Sequence, residues 1–105
     1  MAVYDLYGFQ TDDIDSLAKS IEKALGVKLQ ARSSDYWGDY FAFGDLTAEN
    51  YELKRSVDGE GEKIEKKFSD YQSFFYLNES NRADEIRIQL ENALDEINHL
   101  RRENI

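Results

Sequence analysis

Acidic and aromatic side chains alternate along residues 33–52, SSDYWGDYFAFGDLTAENYE, and are of the types that bind a basic protein. Tyrosine and tryptophan supply the anchors that become buried in protein interfaces, while carboxylates steer approach and pair with lysine or arginine. In the alternative interpretation, Trp37, Phe41 and Phe43 belong to the core and the acidic residues only form the solvated face. The candidate partner-binding residues are Asp35, Tyr36, Trp37, Asp39, Tyr40, Glu49 and Glu52.

The charge of the chain favours the same kind of partner. The sequence has 22 acidic and 13 basic residues, a formal net charge of -9. Residues 27–62 hold eight acidic and four basic residues, so this third of the chain carries a net charge of -4. A negative charge of this size opposes contact with phosphate backbones or anionic lipid. We therefore expect a basic protein partner, with no direct binding of nucleic acid and no membrane contact.

Patterns that would indicate catalysis or metal binding are weak. The sequence has no cysteine and one histidine, His99, which excludes thiolate metal sites and a pair of histidine ligands. His99 falls near the end of the last predicted helix, where an imidazole complements the helix dipole. Asp58, Glu60 and Glu62 alternate with glycines but do not follow the ligand order of a calcium loop. The sequence predicts no enzyme, no cofactor and no metal site, with a hydrolytic carboxylate pair as the catalytic alternative.

The elements that position these residues fit into one domain covering residues 1–105. A chain of this length is too short for two independent cores, and it has no proline to mark a rigid linker. The first residues, MAVYDLYGF, do not resemble a secretory signal, and no stretch approaches the roughly 18 apolar residues of a membrane span. We therefore expect a cytoplasmic protein.

The first third of the chain predicts a strand, a helix and a second strand. Residues 2–9 are rich in β-branched and aromatic side chains, which is typical of a strand. An amphipathic helix follows, between an N-cap at Thr11 or Asp12 and a stop at Gly26. Residues 27–32 then alternate between apolar and polar side chains, as in a half-buried strand.

The middle of the chain predicts an antiparallel meander. A turn around Gly38 leads into strand-like residues 40–44, and a further alternating strand covers residues 51–57. Residues 58–68 are charged and contain two glycines, which indicates an exposed turn with a short helical piece near its end. Residues 73–78, SFFYLN, form an apolar run that predicts a central strand covered on both faces.

The end of the chain predicts a long amphipathic helix from Ser80 to Arg102. Its apolar stripe also fits a heptad, so a homodimer contact through this helix is an alternative to packing on the sheet. The predicted fold is α+β, with an antiparallel sheet of about four to five strands and two helices packed on one face. The stripe consists of Ala83, Ile86, Leu90, Ala93, Leu94, Ile97 and Leu100.

The order of these segments resembles that of small immunity proteins from bacterial polymorphic toxin and contact-dependent growth inhibition systems. The resemblance covers most of the chain: an opening YGF with an amphipathic helix, then SSDYWGDYFAFG, YELKRSVDG, FSDYQSFFYLN and the helix start NESNRADEI. It implies a cytoplasmic protein that binds the C-terminal toxin domain of a partner and blocks its active site or its access to substrate. Many such toxins are nucleases with basic clefts, which an acidic inhibitor would complement. A non-catalytic adaptor or dimerisation module using the C-terminal helix is the alternative function.

Overall fold

The structure is a computed structural model that describes residues 2–104, and it has the α+β architecture predicted from the sequence. The elements are β1 (Val3–Phe9), α1 (Ile14–Leu25), β2 (Gln30–Ser34), β3 (Gly38–Phe43), β4 (Asn50–Arg55), β5 (Ser73–Ser80), α2 (Ala83–Ala93) and β6 (Asn98–Asn104). The six strands form a single antiparallel sheet in the order β2-β3-β4-β5-β1-β6. A short 3-10 turn, Lys66–Phe68, lies in the predicted exposed connection before β5.

The predicted number of four to five strands was wrong because the last helix is shorter than predicted. It begins at Ala83 and ends at Ala93, and residues 98–104 form β6 against β1 instead. The apolar spacing of residues 83–100 fits a helix, but the outer edge of β1 carries Asp5, whose side chain is fully buried. Pairing of β6 with this edge brings Arg102 to that carboxylate, so tertiary contacts override the helical pattern.

Two details at the ends of α1 also differ from the prediction. Asp13, rather than Thr11 or Asp12, caps the helix by accepting a hydrogen bond from the backbone N–H of Ser16. The helix ends at Gly26 as predicted, in a left-handed conformation with φ of 66°. The next strand starts at residue 30 instead of 27, because the N–H of Leu29 donates to the Glu22 carboxylate over 2.7 Å and holds this stretch against the helix.

Both helices pack on one face of the sheet, as predicted, and the core lies between the helices and this face. Tyr7, Tyr51 and Phe75 from three central strands are fully buried there, together with Ile21 of α1 and Ile86 of α2. Successive side chains of a strand point to opposite faces of the sheet, so the strand residues next to these three tyrosine and phenylalanine residues lie on the second face. Within residues 2–104, neither helix is long and apolar enough to cross a membrane.

The second face of the sheet is partly covered by the connection between β4 and β5. Phe74 is fully buried on this face while Phe75 is fully buried on the other, which confirms that β5 is a central strand covered on both sides. The Tyr76 hydroxyl donates to the Glu65 carboxylate over 2.7 Å, and Arg101 of β6 also donates to Glu65. These hydrogen bonds hold the β4–β5 connection against strands β5 and β6, close to the turn that carries the predicted binding residues.

Candidate partner-binding surface

The turn between β2 and β3 exposes two adjacent aromatic side chains. The backbone N–H of Trp37 donates to Ser34 Oγ over 2.8 Å, and Gly38 closes the turn with a φ of 72°, which favours glycine. The rings of Tyr36 and Trp37 meet edge to face, with centroids 4.5 Å apart and an interplanar angle of 90°. Tyr36 is 61% exposed and Trp37 is half-buried. The turn therefore places an edge-to-face aromatic pair at the surface, with Tyr36 the more exposed of the two.

An acidic loop, residues 58–62, is held beside this turn by hydrogen bonds. One carboxylate oxygen of Asp58 accepts hydrogen bonds from the backbone N–H groups of Glu60 and Glu62, over 2.8 and 3.0 Å. The Gly59 N–H donates to the Tyr36 carbonyl oxygen over 2.6 Å. A Cβ at Gly59 would lie 2.5 Å from the Asp35 carbonyl oxygen, so the close approach of the two backbones requires glycine there.

Between the turn and the loop lies a cleft of about 350 Å³. Lys63 and Lys66 contribute two positive charges to its walls, and Asp58, Glu60 and Glu62 contribute three negative charges. Asp35 precedes the aromatic pair in the turn and is exposed. We call the combined patch the turn surface, which consists of Asp35, Tyr36, Trp37, Asp58, Glu60 and Glu62.

Beneath Trp37, the ammonium of Lys54 is enclosed by aromatic rings. Its Nζ lies 3.6 Å from the Trp37 ring centroid, and the rings of Tyr40 and Tyr76 are 5.7 and 5.4 Å away. Glu52 forms an ion pair with the same Nζ at 3.5 Å. Burial lowers the pKa of Lys54, and the negative charge of Glu52 offsets only part of this effect. Lys54 therefore contacts the aromatic turn from the second face of the sheet.

The structure brings some of the predicted binding residues together and separates others. Asp35, Tyr36 and Trp37 share the turn, and Tyr40 and Glu52 lie next to it on the second face of the sheet around Lys54. Phe41 and Phe43 pack against the core, as the alternative interpretation expected for these two residues, whereas Trp37 lies outside the core cluster. Asp39 is two residues before Phe41 on β3 and so lies on the face of the sheet that carries the helices, where it is exposed, whereas Tyr40 lies on the other face.

Glu49 lies apart from the turn surface, with hydrogen bonds inside the domain. Its carboxylate accepts from Arg82 Nη2 over 2.8 Å, from the Tyr51 hydroxyl over 2.6 Å and from Ser80 Oγ over 2.8 Å. Burial raises the pKa of Glu49, but these hydrogen bonds, with that of Arg82 the strongest, leave it below its ordinary value. The observed role of Glu49 is to join the start of β4 to the start of α2.

The sequence pointed to the turn but not to the loop and the lysine beside it. In the sequence, Asp58, Glu60 and Glu62 belong to the acidic stretch 27–62 and do not follow the ligand order of a calcium loop, but none of them is among the predicted binding residues. In the part of the chain that the structure describes, no group of three His, Cys, Asp or Glu side chains is placed to hold a metal ion. A signal was present, since an Asp followed by glycines at 59 and 61 is typical of a tight turn. Lys54 gave no such signal, because only the fold places it under Trp37.

His99 lies on β6, so its predicted position near the end of a helix was wrong. Its Nε2 is 3.2 Å from Asp5 Oδ1 without making a hydrogen bond, and its ring meets Tyr7 edge to face at a centroid distance of 5.1 Å. Both Asp5 oxygens instead accept hydrogen bonds from Arg102. This cluster is a structural ion pair between β1 and β6.

No family model matches this chain, and no curated protein matches it either. The function is therefore inferred from the geometry and charge of the turn surface, together with the sequence resemblance.

Proposed function

We propose that this chain is an immunity protein that binds a cognate toxin domain and neutralises it. The observation that supports this most strongly is the edge-to-face pair of the exposed Tyr36 and the half-buried Trp37, which line one cleft with the carboxylates of Glu60 and Glu62. In the proposed complex, the turn surface covers the toxin's active site or substrate-binding cleft. The resemblance of the sequence to small immunity proteins supports the same conclusion.

The arrangement of the turn surface suits a tight complex with a basic protein. Burial of an exposed tyrosine and the accessible part of a tryptophan supplies the hydrophobic anchor on which interface affinity depends. The surrounding carboxylates attract a positively charged partner and pair with its lysine or arginine side chains. Because salt screens exposed charges within about 8 Å at physiological ionic strength, this attraction weakens as salt is added.

A nuclease is the toxin class that fits the charge best. An enzyme that binds a phosphate backbone needs a basic cleft, and a protein with a net charge of -9 is complementary to it. Inhibition then requires no catalysis and no cofactor, since the inhibitor only occupies the place of the nucleic acid. The proposal includes a cytoplasmic location, where the nucleic acid that needs protection lies.

The alternative function, an adaptor or homodimer, required a long C-terminal helix with an exposed apolar stripe, and α2 does not provide one. Ala83, Ile86 and Leu90 face the core of the chain itself, and Ile97 and Leu100 lie beyond the end of α2. Since the predicted stripe does not form a continuous exposed seam, no observation favours this second function.

The resemblance to immunity proteins implies that a toxin domain is encoded beside this gene. The test is direct binding between the purified protein and that toxin domain, measured by calorimetry at low and high salt. We expect a one-to-one complex whose affinity falls as salt rises. To test the assignment to the turn surface, the toxin domain is also titrated with the double variant Glu60→Lys/Glu62→Lys, for which we expect weaker binding. Absence of binding at low salt, or an affinity unaffected by the double substitution, would contradict the proposal or its assignment to this surface.

A further inference from the structure

Lys54 occupies an unusual position for a lysine. It is only 7% exposed, although it belongs to a strand whose second face is reached by solvent near the turn. A lysine in such a position ordinarily extends its ammonium into water, because burial of an unpaired charge is costly. Here the ammonium stays under the indole of Trp37, at 3.6 Å from the ring centroid, with Glu52 as its ion-pair partner.

The arrangement joins two elements that the backbone alone does not hold together at this point. Lys54 is on β4, in the interior of the sheet, whereas Trp37 is in the β2–β3 turn at its edge. The centroid distances of 5.7 Å to Tyr40 and 5.4 Å to Tyr76 show that the ammonium also lies near rings from β3 and β5. A cation over an aromatic face gains electrostatic attraction that is strongest with tryptophan and grows when water is excluded.

We infer that Lys54 is a positioning residue for the turn surface: its ammonium holds the Trp37 ring in the place where a partner meets it. An anchor that is already in its bound orientation loses little conformational freedom on binding, which favours affinity. The consequence for binding rests on the proposed function, whereas the positioning of Trp37 is measurable without any partner.

The positive charge, rather than the bulk of the side chain, is the distinguishing feature. In Lys54→Met the chain keeps an unbranched side chain of similar length that still packs under the ring, but loses the cation. In Lys54→Arg it keeps the charge and a planar group that stacks on tryptophan. If Lys54 only fills space, Lys54→Met keeps Trp37 in its place. If the positive charge of Lys54 positions Trp37, only Lys54→Arg does so.

The first test uses the unaltered protein in solution by NMR. Protons held over an aromatic face are shielded, so the ε-methylene signals of Lys54 are expected upfield of those of the exposed Lys28. Signals of Lys54 at the position of an exposed lysine would overturn the inference, and this result requires no substitution and no folding assumption.

The second test uses Trp37 as a probe, since it is the only tryptophan in the chain. Acrylamide quenching of its fluorescence is expected to rise in Lys54→Met, to stay near the original value in Lys54→Arg, and to be unchanged in the control Lys28→Met. Equal quenching in Lys54→Met and the original protein would overturn the inference. If Lys54→Met does not fold, the NMR result and Lys54→Arg decide instead.

The third readout links positioning to binding. The affinity of Lys54→Met for the toxin domain encoded beside the gene is expected to fall by about tenfold, with recovery in Lys54→Arg. A fall in affinity without increased quenching would contradict the positioning role. If quenching behaves as expected but even the original protein does not bind the toxin domain, the positioning of Trp37 stands and the proposed function fails.

Discussion

Arg102 joins the last strand of the chain to the first by donating hydrogen bonds to both carboxylate oxygens of Asp5, from Nε to Oδ1 over 2.8 Å and from Nη2 to Oδ2 over 2.9 Å. The Asp5 side chain is completely buried, and Arg102 also donates to Asp84 at the start of α2 over 2.6 Å. One guanidinium therefore connects β1, β6 and α2. The edge of the sheet depends on this contact, because a buried carboxylate without a partner is strongly unfavourable.

Replacement of Arg102 by leucine is expected to lower the free energy of unfolding by about 3–5 kcal/mol, since it leaves the Asp5 charge buried without its main partner. Urea unfolding followed by circular dichroism measures the change. The control is Arg87→Leu, which removes an exposed ion pair with Glu91 and is expected to cost about 0.5 kcal/mol or less. Equal losses in the two variants would show that the Asp5 pair contributes no more than a surface pair.

The double variant Asp5→Asn/Arg102→Leu separates two costs in the free energy of unfolding. One is the loss of the ion pair, and the other is the burial of an unpaired Asp5 carboxylate. Because asparagine carries no charge, we expect it to recover part of the stability lost in Arg102→Leu. A double variant less stable than Arg102→Leu, measured in the same urea experiment, would argue that the penalty does not come from the unpaired carboxylate.

The buried carboxylates also predict a loss of stability in acid. Burial raises the pKa of Asp5, but the hydrogen bonds from Arg102 and the positive charge of its guanidinium hold it below the ordinary value. The pKa of Glu49 is likewise lowered overall. A lowered pKa in the folded state stabilises the protein above the unfolded value of about 4, and this stability is lost as the pH falls through the folded value.

Urea unfolding between pH 7 and pH 3 is therefore expected to show a nearly constant free energy of unfolding at higher pH and a steep fall below about pH 4. In Asp5→Asn the free energy at pH 7 is lower, but its decrease in acid is expected to be smaller. An unchanged decrease in acid in this variant would mean that other carboxylates are responsible.

The sequence predicted the elements whose patterns agree with their tertiary contacts. β-Branched and aromatic content identified β1, an apolar run identified β5, and helical spacing with a glycine stop identified α1, because each local pattern matches the burial that the fold gives the segment. It misassigned β6 because Ile97 and Leu100 continue the helical stripe, while the contact that selects a strand is made with Asp5, almost the full chain length away. No local pattern reports such a contact.

Replacement of Trp37 by alanine is expected to leave a cooperatively folded domain. The ring is half-buried and lies outside the core cluster, so we expect a loss of about 1–2 kcal/mol in the free energy of unfolding. Phe75→Ala, at a fully buried position, is the comparison, with an expected loss of about 3–5 kcal/mol. Comparable losses in a urea titration would instead assign Trp37 to the core.

Two acidic residues that the sequence grouped together are expected to differ in binding. Asp35 lies in the turn, whereas Asp39 is on the helix-covered face of β3. Asp35→Lys and Asp39→Lys change the net charge equally, so each serves as the control of the other. We expect Asp35→Lys to weaken toxin binding more, mainly through slower association and reduced salt dependence. Equal effects would indicate that net charge alone governs the affinity.

The candidate site was predictable only in part. Composition alone indicated the turn with Tyr36 and Trp37, because exposed aromatic residues among acids are typical of an interface. The contribution of Glu60 and Glu62 depends on the close approach of Gly59 to the turn, and the support from Lys54 depends on strand register. Both are tertiary relationships between segments about 20 residues apart.

Inhibition of the proposed toxin by this protein tests neutralisation most directly. The nuclease activity of the proposed toxin domain would be followed while the purified protein is added in increasing amounts, with Trp37→Ala as the matched variant. We predict that activity disappears near a one-to-one ratio and that more of the Trp37→Ala protein is needed for the same effect. Full toxin activity in the presence of a large excess of the unaltered protein would contradict the account.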